Sequence, residues 1–164
     1  MRVACIQLCS GPNVKENLYL TKKFILQAVK KKSDLIITPE TSSLFGLSKK
    51  ELSKKITTMD KDFYLLEIRK ISQKYKKWIL VGSVIVKEKS KIKNRSVLIS
   101  PRGSIHAYYD KIHMYNAKLS KKEKYFESKT YTPGKIIKTT NLPWGRLGFS
   151  ICYDLRFPNM YRKL

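Results

Sequence analysis

The stretch "GRLGFSICYDLRFP", residues 145–158, carries a thiol to the end of an apolar run and then turns. Leu147, Phe149 and Ile151 alternate with small residues, the period of a buried strand, and Cys152 stands where the run stops. A nucleophile at the C-terminal end of a strand, followed by a turn and a helical segment, has the geometry of an elbow that projects its side chain into a cleft. The competing reading is a small buried hydrophobe, the commonest fate of a lone cysteine. A free thiol with a pKa near 8.5 is mostly protonated at neutral pH, so a cysteine nucleophile needs a base or a cation beside it. His106 and His113 are the only histidines and neither has an obvious pairing with the thiol, which leaves a carboxylate as the candidate base. Glu40 follows the apolar "DLIIT" and Pro39; read blandly, it is a solvated loop residue. Lys111, in "YYDKIHMY", is flanked by aromatic and apolar residues and can supply positive charge to a thiolate or an oxyanion. The other lysines read as surface side chains lying along apolar neighbours, Lys122 in the polar segment included. Glu127, in "YFES", is a further apolar-flanked carboxylate, or else a surface ion pair with Lys124 or Lys129. Cys5 and Cys9 lack the second pair a metal site needs, so no metal and no cofactor are expected.

Positioning these residues requires a sheet whose strand ends converge. "RVACIQL" reads as a first strand, with Val3, Cys5 and Gln7 on one face and Ala4, Ile6 and Leu8 on the other. Helical spacing of Leu18, Phe24, Ile25, Ala28 and Val29 predicts a helix over residues 15–32, and 34–38 is apolar enough for a strand buried on both faces. A second helix is predicted over 60–76, with Asp60 as N-cap, and "WILVGSVIV" at 78–86 as another buried strand. "RSVLIS" and "SIHAYYD" around "PRG" read as a hairpin, and strands are predicted near 136–140 and 145–151. Helix after strand early and paired strands later indicate one mixed α/β layered domain.

Charge raises a different possibility. The net charge of +23 favours phosphate contacts by counterion release. Only seven of the 35 basic residues are arginine, however, and arginine is the residue favoured in base readout and bidentate phosphate contacts. No specific nucleic-acid partner is expected. The first apolar stretch is too short for a membrane span or a secretory leader, and three cysteines without framework spacing suit a reducing compartment, so a cytoplasmic protein with no membrane association is expected.

Taken together, "LIITPET", "YDKIHMY", "YFESKTYTPG" and "GRLGFSICYDLRFP" resemble the nitrilase, or carbon–nitrogen hydrolase, superfamily, in that family's order and over nearly the whole chain. "CYDLRFP" and "KIH" are most similar to its omega-amidase and deaminated-glutathione amidase branch; "HMYNAKLSKKEK" departs from the acidic, glycine-containing loop of relatives. The resemblance places the family's catalytic glutamate on Glu40, its lysine on Lys111, its cysteine on Cys152 and its additional glutamate on Glu127. It implies hydrolysis of a small carboxylate-bearing amide through a cysteine thioester, with the Tyr153 backbone N–H as an oxyanion donor. Arg156 is a candidate carboxylate clamp, or alternatively an ion-pair partner of Asp154. The implied fold is the N-terminal portion of an α-β-β-α sandwich, with residues 1–164 as one domain incomplete at its C-terminus and a homo-oligomer when complete. On that reading the chain exposes sheet that further strands would cover, and a catalytically inactive remnant or interaction module is the alternative to an amidase.

Overall fold

The computed structural model describes residues 1–120 and 123–164; Lys122, read above as solvated, lies outside the described residues. Its centre is a five-stranded sheet of β1 (Val3–Cys5), β2 (Leu35–Ile37), β3 (Trp78–Glu88), β4 (Lys91–Ile99) and β5 (Ile105–Asp110), in that spatial order. β1, β2 and β3 run parallel and β3, β4 and β5 antiparallel, so the sheet is mixed as the alternation of elements predicts. The parallel part needs crossovers, and α1 (Val14–Lys30) and α3 (Phe63–Tyr75) supply them, with the short α2 (Lys49–Lys55) between β2 and α3.

The helices cover one face of the sheet. Leu18 and Ile25 of α1 and Tyr64, Leu65 and Ile68 of α3 pack with Ile36, Ile79, Val81, Val97 and Ile99. The opposite face is covered by the C-terminal segment: Phe149, Ile151 and Met160 pack with Leu35, Leu98, Ala107 and Tyr109. The sheet therefore sits between the helices and the segment bearing Cys152. Among the described residues no helix is long and apolar enough to cross a membrane.

Several boundaries differ from expectation. α3 begins at Phe63, and its cap is Asp62, whose Oδ1 accepts from the Leu65 amide at 2.8 Å; Asp60 lies in the preceding turn. The late strands are a separate hairpin, β8 (Thr139–Leu142) with β9 (Gly145–Gly148). The ladder thus stops before Cys152, although Phe149 and Ile151 stay buried as the period-2 pattern requires. Two elements had no legible signal. α2 is seven residues long with one buried residue, Leu52, and rests on a capping box between Ser48 and Glu51. The hairpin of β6 (Asn116–Lys118) and β7 (Lys124–Phe126) is short and exposed, Tyr125 and Phe126 included. Lys93 also departs from the surface reading: its ammonium is buried, donating to the Pro133 carbonyl at 3.0 Å and lying 3.8 Å from Asp110.

Candidate functional site

Glu40 reaches the sheet edge because its chain is pressed onto β3. A Cβ on Gly82 would lie 2.0 Å from the Thr38 carbonyl oxygen and 2.7 Å from that of Pro39, so only glycine permits the approach. Hydrogen bonds from the Ser83 amide to the Pro39 carbonyl at 3.2 Å and from the Thr41 amide to Ser83 Oγ at 2.8 Å hold the turn there. Lys111 follows β5 directly, and its amide donates to the Asn94 carbonyl on β4 at 2.9 Å. On the other side, the Gly134 amide of "YTPG" donates to the Lys111 carbonyl at 2.8 Å; a Cβ at Gly134 would meet the Asp110 carbonyl at 2.2 Å.

The three ionised groups meet at one point. Lys111 Nζ lies 2.9 Å from Glu40 Oε1 and 2.9 Å from Glu127 Oε2, and its side chain is fully buried. Burial alone would lower the ammonium's pKa, but the hydrogen bond to Glu127 and the charge and hydrogen bond of Glu40 outweigh it, leaving a net shift upward. Glu127 is held in turn by the Tyr115 amide, 2.8 Å from Oε2. Its partner is thus Lys111, sixteen residues away, and the surface pairing with Lys124 or Lys129 is not formed.

Cys152 opens a short 3₁₀ segment, Cys152–Arg156, with its own φ at +46°, the left-handed region seldom occupied by a residue with a Cβ. Its thiol is solvent-accessible and faces Glu40. Burial pushes the thiol's pKa up first; the charge and hydrogen bonding of Glu40 add to that, and Lys111 offsets part of it. Glu40, Lys111, Glu127 and Cys152 are therefore gathered together from four separate stretches of sequence. Tyr153 adjoins them, with its ring edge-on to Tyr115 at 5.2 Å and to Phe157 at 5.5 Å. Arg156 is exposed and has no ion-pair partner among the described residues, so the alternative pairing with Asp154 is not formed.

Three residues escaped the sequence reading. Asn94 is buried on β4, and its Nδ2 donates to Glu40 Oε1 at 2.8 Å. With Lys111 it fixes that oxygen from two directions. Tyr131 donates its amide to the Glu127 carbonyl at 2.8 Å, and its phenol pKa is pushed up to about 12 by burial first and by the charges of Glu127 and Glu40. Asp154, two residues past the thiol, is completely buried. A polar asparagine within a strand and an aspartate just beyond a cysteine were the available signals; the face Asn94 occupies depends on the sheet register, and the partners of Asp154 on how its 3₁₀ turn packs.

A cleft of about 580 Å³ lies elsewhere, along β5 and residues 132–138, with Lys91, Lys93, Tyr108 and Lys135 in its wall. It includes none of Glu40, Lys111, Glu127 or Cys152. Volume and chemistry disagree here. The convergence of base, cation and thiol is the better guide, because the cleft holds no nucleophilic thiol beside a base. No cluster of three or more potential metal-ligating side chains occurs among the described residues.

The family model described as carbon-nitrogen hydrolase matches residues 2–164. The chain belongs to the carbon-nitrogen hydrolase family. Within it, the chain is 36% identical to the deaminated glutathione amidase of Yersinia enterocolitica over 166 residues, covering 99% of this chain and 57% of that protein. It is 30% identical to the nitrilase and fragile histidine triad fusion protein NitFhit of Caenorhabditis elegans, covering 96% of this chain and 37% of that one. The crystal structure of the C. elegans NitFhit protein superposes with a TM-score of 0.84 at 28% identity, over 96% of this chain and 39% of that one. Saccharomyces cerevisiae Nit3, a member of branch 10 of the nitrilase superfamily, superposes with a TM-score of 0.81 at 25% identity, over 96% of this chain and 57% of that one. This carbon-nitrogen hydrolase chain thus spans between about one third and three fifths of the length of these relatives. Its mixed α/β architecture is that of nitrilase-superfamily structures.

Proposed function

We propose that this chain carries the reacting groups of an amidase that hydrolyses a small carboxylate-bearing amide, a carbon–nitrogen bond other than a peptide bond, through a Cys152 thioester. The observation that carries the reading is the Lys111 ammonium bridging Glu40 and Glu127 at 2.9 Å beside the Cys152 thiol. Glu40 takes the thiol proton as the sulfur attacks the amide carbonyl, forming the C–S bond and an oxyanion. An ammonium has three N–H donors and Lys111 commits two to carboxylates, which leaves one for the oxyanion, with the Tyr153 backbone N–H as a second donor. Collapse breaks the C–N bond, and the proton on Glu40 leaves with ammonia. Glu40 then removes a proton from water, which attacks the thioester; the carboxylic acid departs and the proton returns to the thiol. Glu127 holds Lys111 in place, and the exposed Arg156 is the clamp for the substrate's carboxylate.

The similarity to a protein named deaminated glutathione amidase supports a small amide as substrate. No cofactor enters the scheme, and a homo-oligomer in a cytoplasmic setting is the expected state, checked by solution mass and by fractionation. The test is incubation with the mono-amide of a dicarboxylic acid, following ammonia release and the mass of the Cys152 peptide. An acyl adduct on Cys152, with ammonia release lost in Cys152→Ala, is the expected result. Ammonia release that survives Cys152→Ala overturns the proposal.

A further inference from the structure

Asp154 is the most heavily bonded side chain near the site, and none of the steps above uses it. Its Oδ2 accepts from the Tyr109 hydroxyl at 2.7 Å and from the Ile151 amide at 2.9 Å. Its Oδ1 accepts from the His113 amide at 2.9 Å and lies 2.7 Å from His113 Nδ1, which carries the hydrogen because a carboxylate can only accept. Tyr109 also accepts from the Ile112 amide at 3.2 Å, and the His113 ring stacks on Phe157 at 3.5 Å. One buried carboxylate thus ties residues 109–113, with Lys111 at their centre, to residues 151–157, which contain Cys152. It does so while Cys152 holds a left-handed backbone conformation, which persists only where the surroundings over-determine it.

We propose that Asp154, with His113 and Tyr109, is a positioning network that sets the spacing between the Cys152 thiol and the Glu40–Lys111 pair by clamping the elbow to the end of β5. Its part in catalysis rests on the amidase reading, but the placement of the thiol does not require turnover. The connectivity makes the case. Ile151 immediately precedes the thiol and His113 stands two residues past the ammonium, and both amides end on the same carboxylate. An ordinary ion pair does not account for this, since among the described residues no lysine or arginine pairs with Asp154 and four donors do. Replacing Asp154 by asparagine sets an N–H₂ against donors on one side, so the elbow loses at least one of its anchors.

The test reads the thiol itself. Cys152 faces the Glu40 and Glu127 carboxylates and the Lys111 ammonium, so its alkylation by iodoacetamide titrates according to its distance from them. Cys5 and Cys9 are exposed and serve as internal references in the same chain. In Asp154→Asn and His113→Ala, the pH profile of Cys152 labelling is expected to move to lower pH. Relative labelling at pH 7.5 should rise severalfold. His113→Asn, which keeps a donor near the Nδ1 position, should restore most of the original profile. In a Glu40→Gln background the Asp154→Asn shift should be smaller, because the carboxylate from which the thiol withdraws is already neutral. A lowered melting temperature with an unmoved Cys152 profile overturns the proposal, as does an undiminished shift in Glu40→Gln. If Asp154→Asn does not fold, the His113→Ala and His113→Asn pair decides by the same criterion. Absence of ammonia release together with the predicted profile shift would overturn the amidase reading and leave this one standing.

Discussion

Replacing Lys111 with methionine isolates the charge at the centre of the site, because methionine keeps much of the volume and leaves no large cavity. The wild-type ammonium is fully buried and makes hydrogen bonds of 2.9 Å to Glu40 and 3.0 Å to Glu127. Removing one partner of a buried ion pair costs about 3–5 kcal/mol. The Glu40 and Glu127 side chains are 26% and 22% exposed, so water screens part of their mutual repulsion and the lower end applies, about 3 kcal/mol. At roughly 2–4 °C per kcal/mol for a chain of this size, the melting temperature should fall by about 6–12 °C at pH 7. The pH dependence distinguishes charge from packing. In Lys111→Met the two carboxylates repel while both are ionised, so the deficit should shrink as pH falls toward about 4, where free carboxyls protonate. In the wild type the Lys111 pKa is raised on folding. Its stabilisation is therefore fully present below the unfolded lysine value, about 10.4, and is lost as pH rises through the higher folded value. The wild-type advantage should narrow at both ends. Thermal unfolding from pH 4 to 11 measures it, and a deficit below about 1 kcal/mol at pH 7, or one independent of pH, would refute the reasoning.

Glu40→Gln should move the alkylation profile of Cys152 to lower pH, since a carboxylate that raises the thiol's pKa has been neutralised, while ammonia release falls; an upward shift contradicts the placement of Glu40. Gly82→Ala puts a Cβ 2.0 Å from the Thr38 carbonyl and should destabilise by about 1–3 kcal/mol or more, with Cys152 labelling altered because the Glu40 turn must move; urea unfolding and labelling measure both. Asp62→Ala should cost about 1 kcal/mol through loss of the α3 cap, whereas Asp60→Ala should cost less, which paired denaturation curves resolve.

Glu40, Lys111, Glu127 and Cys152 could be picked out as candidates because each reactive type stands beside an apolar run, and the family resemblance joined them into one set. The sheet strands were legible too, since β2 and β4 are buried almost throughout and β3 and β5 alternate over part of their length, the two patterns a strand shows. Short exposed elements such as α2 and the β6–β7 hairpin were not, because their stability comes from capping and cross-strand bonds that leave no hydrophobic period. Partnership was beyond the sequence altogether. Glu127 had Lys124 three residues before it and Lys129 two after it and yet binds Lys111; Asp154 had Arg156 two residues off and binds His113 across forty-one positions. Asn94 reaches Glu40 because β4 pairs Ile85 with Asn94 in one register, and a slip of one residue would turn its amide to the helical face. Composition and pattern state which chemical groups are present and which runs are buried. Only the register of β3, β4 and β5 brings Glu40, Asn94 and Lys111 within 3 Å of one another, and only the packing of residues 149–160 on the opposite face brings Cys152 to them, because contacts between distant positions depend on backbone placement that no local pattern encodes.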